Sequence, residues 1–196
     1  FKNSELFESF FDKFKEVLEN FFFKLKLDQA VCNILSKILA LVNQKYPPAK
    51  TDQFLIQSIE KYPDLNFFFI DTLATILFNS TSLNNTPFDV FAQILSIPLT
   101  DNVDFNSKFF LIFGLIHHFP DREEEIHNFF SEYLSNVPKE SHQYSIHTIS
   151  KHVKKLNFFF NDHIDDIITF IEMSIENSEG ELSIQAEAVD CLANIS

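Results

Sequence analysis

The stretch Ile184–Ile195 reads I-Q-A-E-A-V-D-C-L-A-N-I and follows the spacing of one helix face. Its apolar residues recur every three to four positions, the period of an amphipathic α-helix. They are Ile184, Ala188, Val189, Cys191, Leu192 and Ile195. The small residues Ala186, Ala188 and Ala193 let a neighbouring backbone come close. We predict a packed helix with Leu192 in its core, where an aspartate would be an unpaired buried charge and would unfold the helix.

This helix resembles the second helix of a HEAT or armadillo repeat, in which a branched residue opens the helix, small residues follow, and a leucine–small–x–isoleucine pattern ends it. The order of residue types matches, except that Gln185 stands where such repeats usually carry arginine. As a sequence pattern the resemblance covers Ile184–Ile195, and as an architecture it covers the whole chain. It implies an all-α fold, an α-solenoid of stacked helix pairs, and a role in binding other proteins.

The glycine and phenylalanine contents favour the same fold class. Only two of the 196 residues are glycine. Sheets, tight hairpins and phosphate-binding loops usually need more glycine than this. Helices joined by short turns are therefore predicted. Phenylalanine contributes 26 residues, an excess that an AT-rich coding genome would produce. At helical spacing, most of these rings are predicted to lie in the core.

Charge, apolar runs and cysteines limit the partners and the compartment. The net charge of −13, with Arg122 as the only arginine, argues against nucleic-acid binding but accommodates a basic protein partner. The longest apolar run, Phe109–Ile116, is far shorter than the ~20 residues of a membrane span, so no membrane segment is predicted. Cys32 and Cys191 are predicted to be buried free thiols of a reducing compartment.

Ten amphipathic stretches, most of them ended by proline or glycine, are predicted to be helices. In order they form five antiparallel pairs within one domain, 1–196. The pairs cover approximately 4–46, 51–79, 86–119, 121–156 and 161–196. Their spacing of about 35–47 residues fits the HEAT class, whose unit is ~40–47 residues. A closed helical bundle is the alternative, but no long crossover connection is visible in the sequence.

Three of these helices carry specific expectations. The second is predicted to face the core with Val31, Ile34, Leu35, Ile38, Leu41 and Val42. The sixth contains Gly114, and because glycine inside a helix costs about 1 kcal/mol relative to alanine, a close helix crossing is predicted there. Gly180 is predicted to end the ninth helix.

Residues that carry chemistry elsewhere are assigned structural roles here. His142, His147 and His152 are five positions apart, unlike the i, i+4 spacing of a helical zinc site. The acidic runs Glu123–Glu125 and Asp165-Asp166 are candidates for general acid or base catalysis, but they lie in first helical turns, where acidic residues stabilise the helix. No nucleophile elbow or glycine-rich phosphate loop occurs. We predict no catalytic, metal or cofactor site.

A partner-binding surface is predicted instead. Phe23 and Phe67 lie off the main apolar stripes and are candidates for holding an apolar peptide on a concave face. The favoured function is a non-enzymatic scaffold or adaptor that binds other proteins through basic or apolar segments. Its expected location is intracellular, in the cytoplasm or nucleus.

Two alternative functions stay open. Receptors of the importin-β type are acidic HEAT solenoids with degenerate repeats, which this chain resembles; they bind Ran and basic cargo. A regulatory subunit of an enzyme complex is the second alternative. The chain begins at Phe1 without a signal peptide and stops within a helical pattern, so we expect it to be part of a longer protein or complex.

Overall fold

A computed structural model describes residues 4–22, 29–45, 51–79, 86–98, 102–178 and 180–195. These ranges form α-helices and short 3-10 turns, with no β-strand among them, which confirms the all-α prediction. Within them, no helix combines the length and apolarity that a bilayer crossing requires. Phe23, one of the two predicted binding residues, lies outside the described residues.

The helices follow the predicted order. Their bounds are α1 Ser4–Phe22, α2 Gln29–Lys45, α3 Thr51–Lys61, α4 Asn66–Asn79, α5 Phe88–Ser96, α6 Asn102–His118, α7 Glu123–Ser135, α8 His142–His152, α9 Asn157–Phe160, α10 Ile164–Asn177 and α11 Leu182–Ile195. The described part of the chain thus has eleven α-helices rather than ten, because the single turn α9 separates α8 from α10.

Proline and glycine set several helix boundaries. Pro63 and Pro120 each open a 3-10 turn that leads into α4 and α7, respectively, and Pro138 precedes the turn before α8. The fixed φ of proline suits the first position of a helical turn, where its missing N–H is not needed. Gly180 has a φ of +88° between α10 and α11, a conformation that L side chains rarely adopt. The predicted break at Gly180 is confirmed.

The most extensive helix contact is the crossing of α4 and α6. A Cβ atom added to Gly114 of α6 would lie 2.9 Å from the Cβ of Leu77 and 3.5 Å from the carbonyl oxygen of Ala74, both in α4. In addition, His118 Nε2 lies 2.5 Å from the carbonyl oxygen of Leu77. The close crossing predicted at Gly114 is therefore confirmed, and it exists because position 114 has no side chain.

The other main contacts join helices of the same or neighbouring pairs. Helix α2 packs on α4, α3 packs on α4, and α8 packs on α11. Smaller contacts join α6 to α7 and α8, and α7 to α10. Helices α4 and α6 therefore lie between the N-terminal and the C-terminal elements.

Phenylalanine rings fill the core between α6, α7 and α9. Phe109, Phe113, Phe130, Phe159 and Phe160 are almost completely buried. Their ring centroids lie 5.1–6.0 Å apart in stacked, tilted and edge-on pairs. This is the range in which aromatic pairs attract beyond their burial of apolar area. For these rings, the prediction that phenylalanine serves the core is confirmed.

The predicted inner face of α2 is wrong in part. Among the described side chains of α2, Ile34, Ile38 and Leu41 are exposed, whereas Ser36, Leu39, Ala40 and Asn43 are buried. The side chain of Val31 lies outside the described residues. The hydroxyl groups of Ser36 and Thr72 are hydrogen-bonded at 2.7 Å, so α2 meets α4 through a small polar residue. Both faces of α2 carry apolar residues, and periodicity does not distinguish the one that packs.

The predicted inner face of α11 also needs correction. Ile184, Ala188 and Cys191 are buried, but Val189 and Leu192 are exposed, Leu192 by 38%. Since Ile184, Ala188 and Cys191 already form one stripe against α8 and α10, residue 189 falls on the outer side of the helix and residue 192 at the flank of the stripe. Leu192 is not a core residue.

Gly114→Ala should destabilise the fold by roughly 1–2 kcal/mol. Overpacking against the backbone and Cβ of α4 costs about 1–3 kcal/mol, and the better helix propensity of alanine recovers up to ~1 kcal/mol. Thermal unfolding followed by circular dichroism measures the change. Asn128→Ala, at an exposed position of α7, is the control and should stay within about 0.5 kcal/mol of the original chain. Equal stability of both variants would contradict the close crossing.

Cys191→Asp should unfold the contact of α11 with α8, at a cost on the order of 3–5 kcal/mol, because it buries a charge without a partner. Leu192→Asp should cost only about 1 kcal/mol or less, because that side chain already reaches solvent. Urea unfolding compares the two neighbouring substitutions. A larger loss for Leu192→Asp would restore the face predicted from the sequence.

Candidate functional site

Helices α7 and α10 contact each other and carry acidic outer faces. Their inner faces are apolar, with Ile126 and Phe130 buried in α7 and Ile167 and Ile171 buried in α10. Around these helices, the exposed acidic residues are Asp121, Glu123, Glu124, Glu125, Glu132, Asp162, Asp165, Asp166, Glu172 and Glu176. We call this surface the acidic face. It joins the two acidic runs that the sequence assigned to separate helix starts.

Two histidines meet where α7 contacts the start of α10. His127 Nδ1 lies 2.5 Å from His163 Nε2, and the ring centroids are 4.7 Å apart. One proton shared between these nitrogens makes a hydrogen bond, whereas two protons there would repel. Glu123 Oε1 lies 3.6 Å from His127 Nε2, and Asp166 Oδ2 lies 3.6 Å from His163 Nδ1. The four side chains form a carboxylate–imidazole–imidazole–carboxylate row at the edge of the acidic face.

Aromatic rings hold this histidine pair in place. Phe159 stacks on His127 with a centroid distance of 4.3 Å, and Phe130 lies 4.8 Å from His163. His163 is buried, and this burial, together with the neighbouring His127, lowers the pKa of His163 below 6.5, although Asp166 opposes the shift. His163 is thus suited to holding α7 against α10 in its neutral form.

The histidine pair does not extend into a metal centre among the described residues. No group of three or more histidine, cysteine, aspartate or glutamate side chains there is arranged to hold a metal ion. The facing nitrogens of His127 and His163 are also closer than two ligands of one tetrahedral zinc ion, which lie ~3.3 Å apart for Zn–N bonds of ~2.0 Å. The geometry favours a hydrogen bond between helices.

Arg122 partly neutralises the acidic face. Its guanidinium donates to Glu125 at 2.5 Å and to Asp89 at 2.9 Å, and it lies 4.8 Å from the ring centroid of Phe88. The only arginine of the chain therefore joins α5 to α7. Glu124, Glu172 and Glu176 lie at other exposed positions of the acidic face, where solvent reaches them.

Other candidate nucleophiles and cations are buried in structural positions. Burial raises the pKa of the free thiol of Cys191 to about 12, with a further contribution from Glu187, so this thiol stays protonated at neutral pH. The predicted free, buried thiol is confirmed for Cys191, and the side chain of Cys32 lies outside the described residues. Lys108 is buried and donates to the carbonyl oxygens of Leu95 and Ile97 at the end of α5.

His152 is buried against aromatic rings. Phe78 stacks on it at 4.6 Å, and Phe113 and Phe110 lie at 5.6 and 6.1 Å. Within the described part of the chain, neither of its ring nitrogens has a hydrogen-bond partner. Burial, with smaller contributions from Lys151 and Lys155, lowers the pKa of His152 to about 4. This histidine behaves as a neutral aromatic core residue.

Grooves between the described helices include two that are large enough for a small ligand. A groove of about 360 Å³ between α1 and α3 is lined mainly by polar and charged side chains, and it includes the ion pair of Asp12 and Lys15. A groove of about 330 Å³ beside α9 is lined by residues such as Phe160, Ile164 and Ile195. Neither lining contains the histidine pair or joins a nucleophile to a base.

The predicted binding residue Phe67 lies in α4, partly buried and packed against the core. Its neighbours Phe68 and Phe69 are almost fully buried. The edge of Phe67 therefore reaches the surface. Phe23, the other predicted binding residue, lies outside the described residues. The sequence did not predict the meeting of His127 with His163, because it is a contact between two helix pairs.

Comparison with protein-family models, with curated proteins and with solved structures finds no match to this chain.

His152→Phe should remove part of the pH dependence of stability. The folded chain binds this proton with a pKa of about 4 and the unfolded chain with 6.5, so the free energy of unfolding falls as the pH decreases from 6.5 towards 4. The loss attributable to His152 amounts to roughly 3 kcal/mol. Urea unfolding at pH 7 and pH 4.5 should show a smaller difference for the variant than for the original chain.

His147→Gln is the matched control for that experiment. His147 is exposed, and its Nδ1 lies 3.1 Å from Glu187 Oε2. Replacing an exposed partner of an ion pair changes the free energy of unfolding little. This variant should keep the pH dependence of the original chain. Identical pH profiles for His152→Phe and the original chain would show that the protonated ring is tolerated in its aromatic surroundings.

Proposed function

We propose that this chain is a non-enzymatic protein-binding module of the α-solenoid type, acting as a scaffold or adaptor inside the cell. The observation that carries this proposal is the acidic face, which spans the outer sides of two neighbouring helices. Its partner would be a lysine- and arginine-rich segment of another protein. We place the protein in the cytoplasm or nucleus because Cys191 is a free thiol, as is usual in reducing compartments.

The solenoid arrangement is supported by how the helices pair. Helices α2, α4 and α6 pack in succession, as do α8 and α11, and α6 contacts α8. In an α-solenoid each repeat contacts its neighbours, and the stack exposes an extended surface on its outer helices. Such surfaces are used to bind extended segments of other proteins, a link between fold and function that rests on analogy.

The charge of the acidic face sets the kind of partner. An exposed ion pair contributes only about 0.2–1 kcal/mol, so affinity requires several pairs formed together. Side chains such as Glu124, Glu172 and Glu176 present carboxylates along α7 and α10 for this purpose. Binding through them would be fast and sensitive to salt.

The transport-receptor and enzyme-subunit hypotheses remain as alternatives from the sequence. A basic cargo segment would also suit the acidic face if the protein were a receptor of the importin-β type. The described helices add nothing that favours either alternative over a general scaffold.

A fluorescein-labelled oligolysine peptide tests the acidic face by fluorescence anisotropy at low salt. The triple variant Glu124→Lys, Glu172→Lys and Glu176→Lys should weaken binding about tenfold or more, because three ion pairs of ~0.5 kcal/mol are replaced by repulsion. The control is Glu16→Lys, Glu60→Lys and Asp64→Lys, which changes the net charge equally at exposed positions of α1, α3 and the following turn.

The control variant should bind the peptide several-fold more tightly than the α7–α10 variant. Circular dichroism establishes that both remain helical. If both variants lose the same affinity, the peptide responds to the net charge of the chain and not to the acidic face, and the proposed binding surface is wrong.

A further inference from the structure

One side of α4 is partly exposed along its length, in line with the predicted binding residue Phe67. The partly exposed residues recur every three to four positions, as the residues of one helix face do. They are Phe67, Asp71, Thr75 and Phe78. The ring of Phe78 stacks on Phe110 of α6 at a centroid distance of 4.9 Å and on His152 of α8 at 4.6 Å. This side of α4 therefore borders α6 and α8.

Asp71, on this side of α4, lies close to Tyr144 of α8. Burial raises the pKa of Tyr144 to about 12, and the negative charge of Asp71 contributes to the rise. Asp71 stands about two turns before Phe78 in α4, and Tyr144 stands about two turns before His152 in α8. The carboxylate and the phenol thus come together about two turns away from the stacked rings.

Asn106 of α6 lies at the same level. Helix α6 contacts both α4 and α8, and Asn106 is partly exposed one turn before the stacked ring of α6. Gly114 of α6 approaches Ala74 of α4. One turn later, His118 reaches the carbonyl oxygen of Leu77, so the two helices run in the same direction. Asn106 is therefore displaced from the stacked rings towards the helix starts, as Asp71 is.

The oxygen atoms at this place lack hydrogen-bond donors. Asp71 has neither a hydrogen bond nor an ion pair within the described part of the chain, and the buried Oδ1 of Asn106 has no partner there either. Burial raises the pKa of Asp71 to about 6, so this carboxyl group is mostly charged at neutral pH. A half-buried carboxylate that is charged and unpaired destabilises the folded chain unless a cation pairs with it.

We propose that Asp71, Asn106 and Tyr144 form a site that binds the ammonium group of a lysine side chain from a partner protein. We call it the Asp71 site. An ammonium group carries three N–H donors, and the site offers three oxygen acceptors: the Asp71 carboxylate, Asn106 Oδ1 and the Tyr144 hydroxyl. The partly exposed rings of Phe67 and Phe110 lie one turn from Asp71 and Asn106, respectively, where they can cover the apolar stem of the lysine.

The Asp71 site belongs to α4, α6 and α8, whereas the acidic face belongs to α7 and α10. This inference therefore goes beyond the proposed binding of basic segments to the acidic face, and the two can fail separately. In α8, His152 with its pKa of about 4 lies two turns from Tyr144, and the exposed His147 pairs with Glu187. Asp71 is thus the group of this site whose charge changes between pH 5 and pH 7.5.

Nuclear magnetic resonance of the 15N-labelled chain, titrated with Nα-acetyl-lysine amide at 0.15 M salt, tests the site. The amide signals of α4, α6 and α8 should shift with a Kd on the order of 1–10 mM, as expected for one lysine side chain. The affinity should fall about tenfold at pH 5 relative to pH 7.5, because about a tenth of the Asp71 carboxyl groups is then charged. Nα-acetyl-norleucine amide, which has the same stem without the ammonium group, should not shift these signals.

Asp71→Asn keeps the size of the side chain and should weaken binding about tenfold or more. The matched control is Asp64→Asn, the same change at an exposed position before α4, and it should bind like the original chain. So should the triple variant of Glu124, Glu172 and Glu176, which alters only the acidic face. An Asp71→Asn variant that keeps its affinity, or a norleucine probe that shifts the same signals equally, overturns the proposal.

Urea unfolding at pH 7.5 gives a second measurement. Since Asp71→Asn removes an unpaired, half-buried charge, this variant should unfold at a higher urea concentration than the original chain. Asp64→Asn should leave the midpoint unchanged. A lower midpoint for Asp71→Asn would show that the carboxylate already has a stabilising partner within the chain, which also overturns the proposal.

Discussion

The packing of this chain depends on the close approach of α4 and α6 at Gly114. A Cβ at that position would come within 2.9 Å of the Cβ of Leu77, a separation that real Cβ atoms essentially never show. Helix α4 also receives α2 and α3, and α6 contacts α7 and α8. A displacement of α6 from α4 would therefore move the elements that carry the acidic face relative to the N-terminal helices. The absence of a Cβ at position 114 thus sets the distance between α4 and α6.

Much of the helical organisation could be predicted from the sequence, because proline and glycine act locally. Pro63, Pro120 and Gly180 set helix boundaries through their own backbone preferences. Gly114 indicated a close helix crossing because glycine inside a helix lowers its stability and therefore needs a packing reason. What the sequence did not predict was which side of α2 is covered, and that the covered stripe of α11 is too narrow to include Val189 and Leu192. Helix α2 has two apolar faces, and the choice between them depends on neighbours that are distant in sequence.

The candidate site was not predicted, for a related physical reason. Glu123, His127, His163 and Asp166 belong to two helix pairs, and their contacts exist only because α7 packs beside α10. Individually, the acidic residues have an ordinary role in first helical turns. Only when α7 packs beside α10 do the two acidic runs lie on neighbouring helices and the two imidazoles form a hydrogen-bonded contact. Composition indicated the sign of the surface charge, but tertiary packing determined its location.

The buried side of α2 shows how close approach can outweigh apolar area. Ser36 and Ala40 are small, and the hydrogen bond between Ser36 and Thr72 satisfies two hydroxyl groups where α2 meets α4. The larger side chains Ile34, Ile38 and Leu41 remain in water, although burying each completely would contribute about 1.5–3 kcal/mol. The side of α2 that packs on α4 is therefore selected by close approach and hydrogen bonding, and apolar area alone does not determine it.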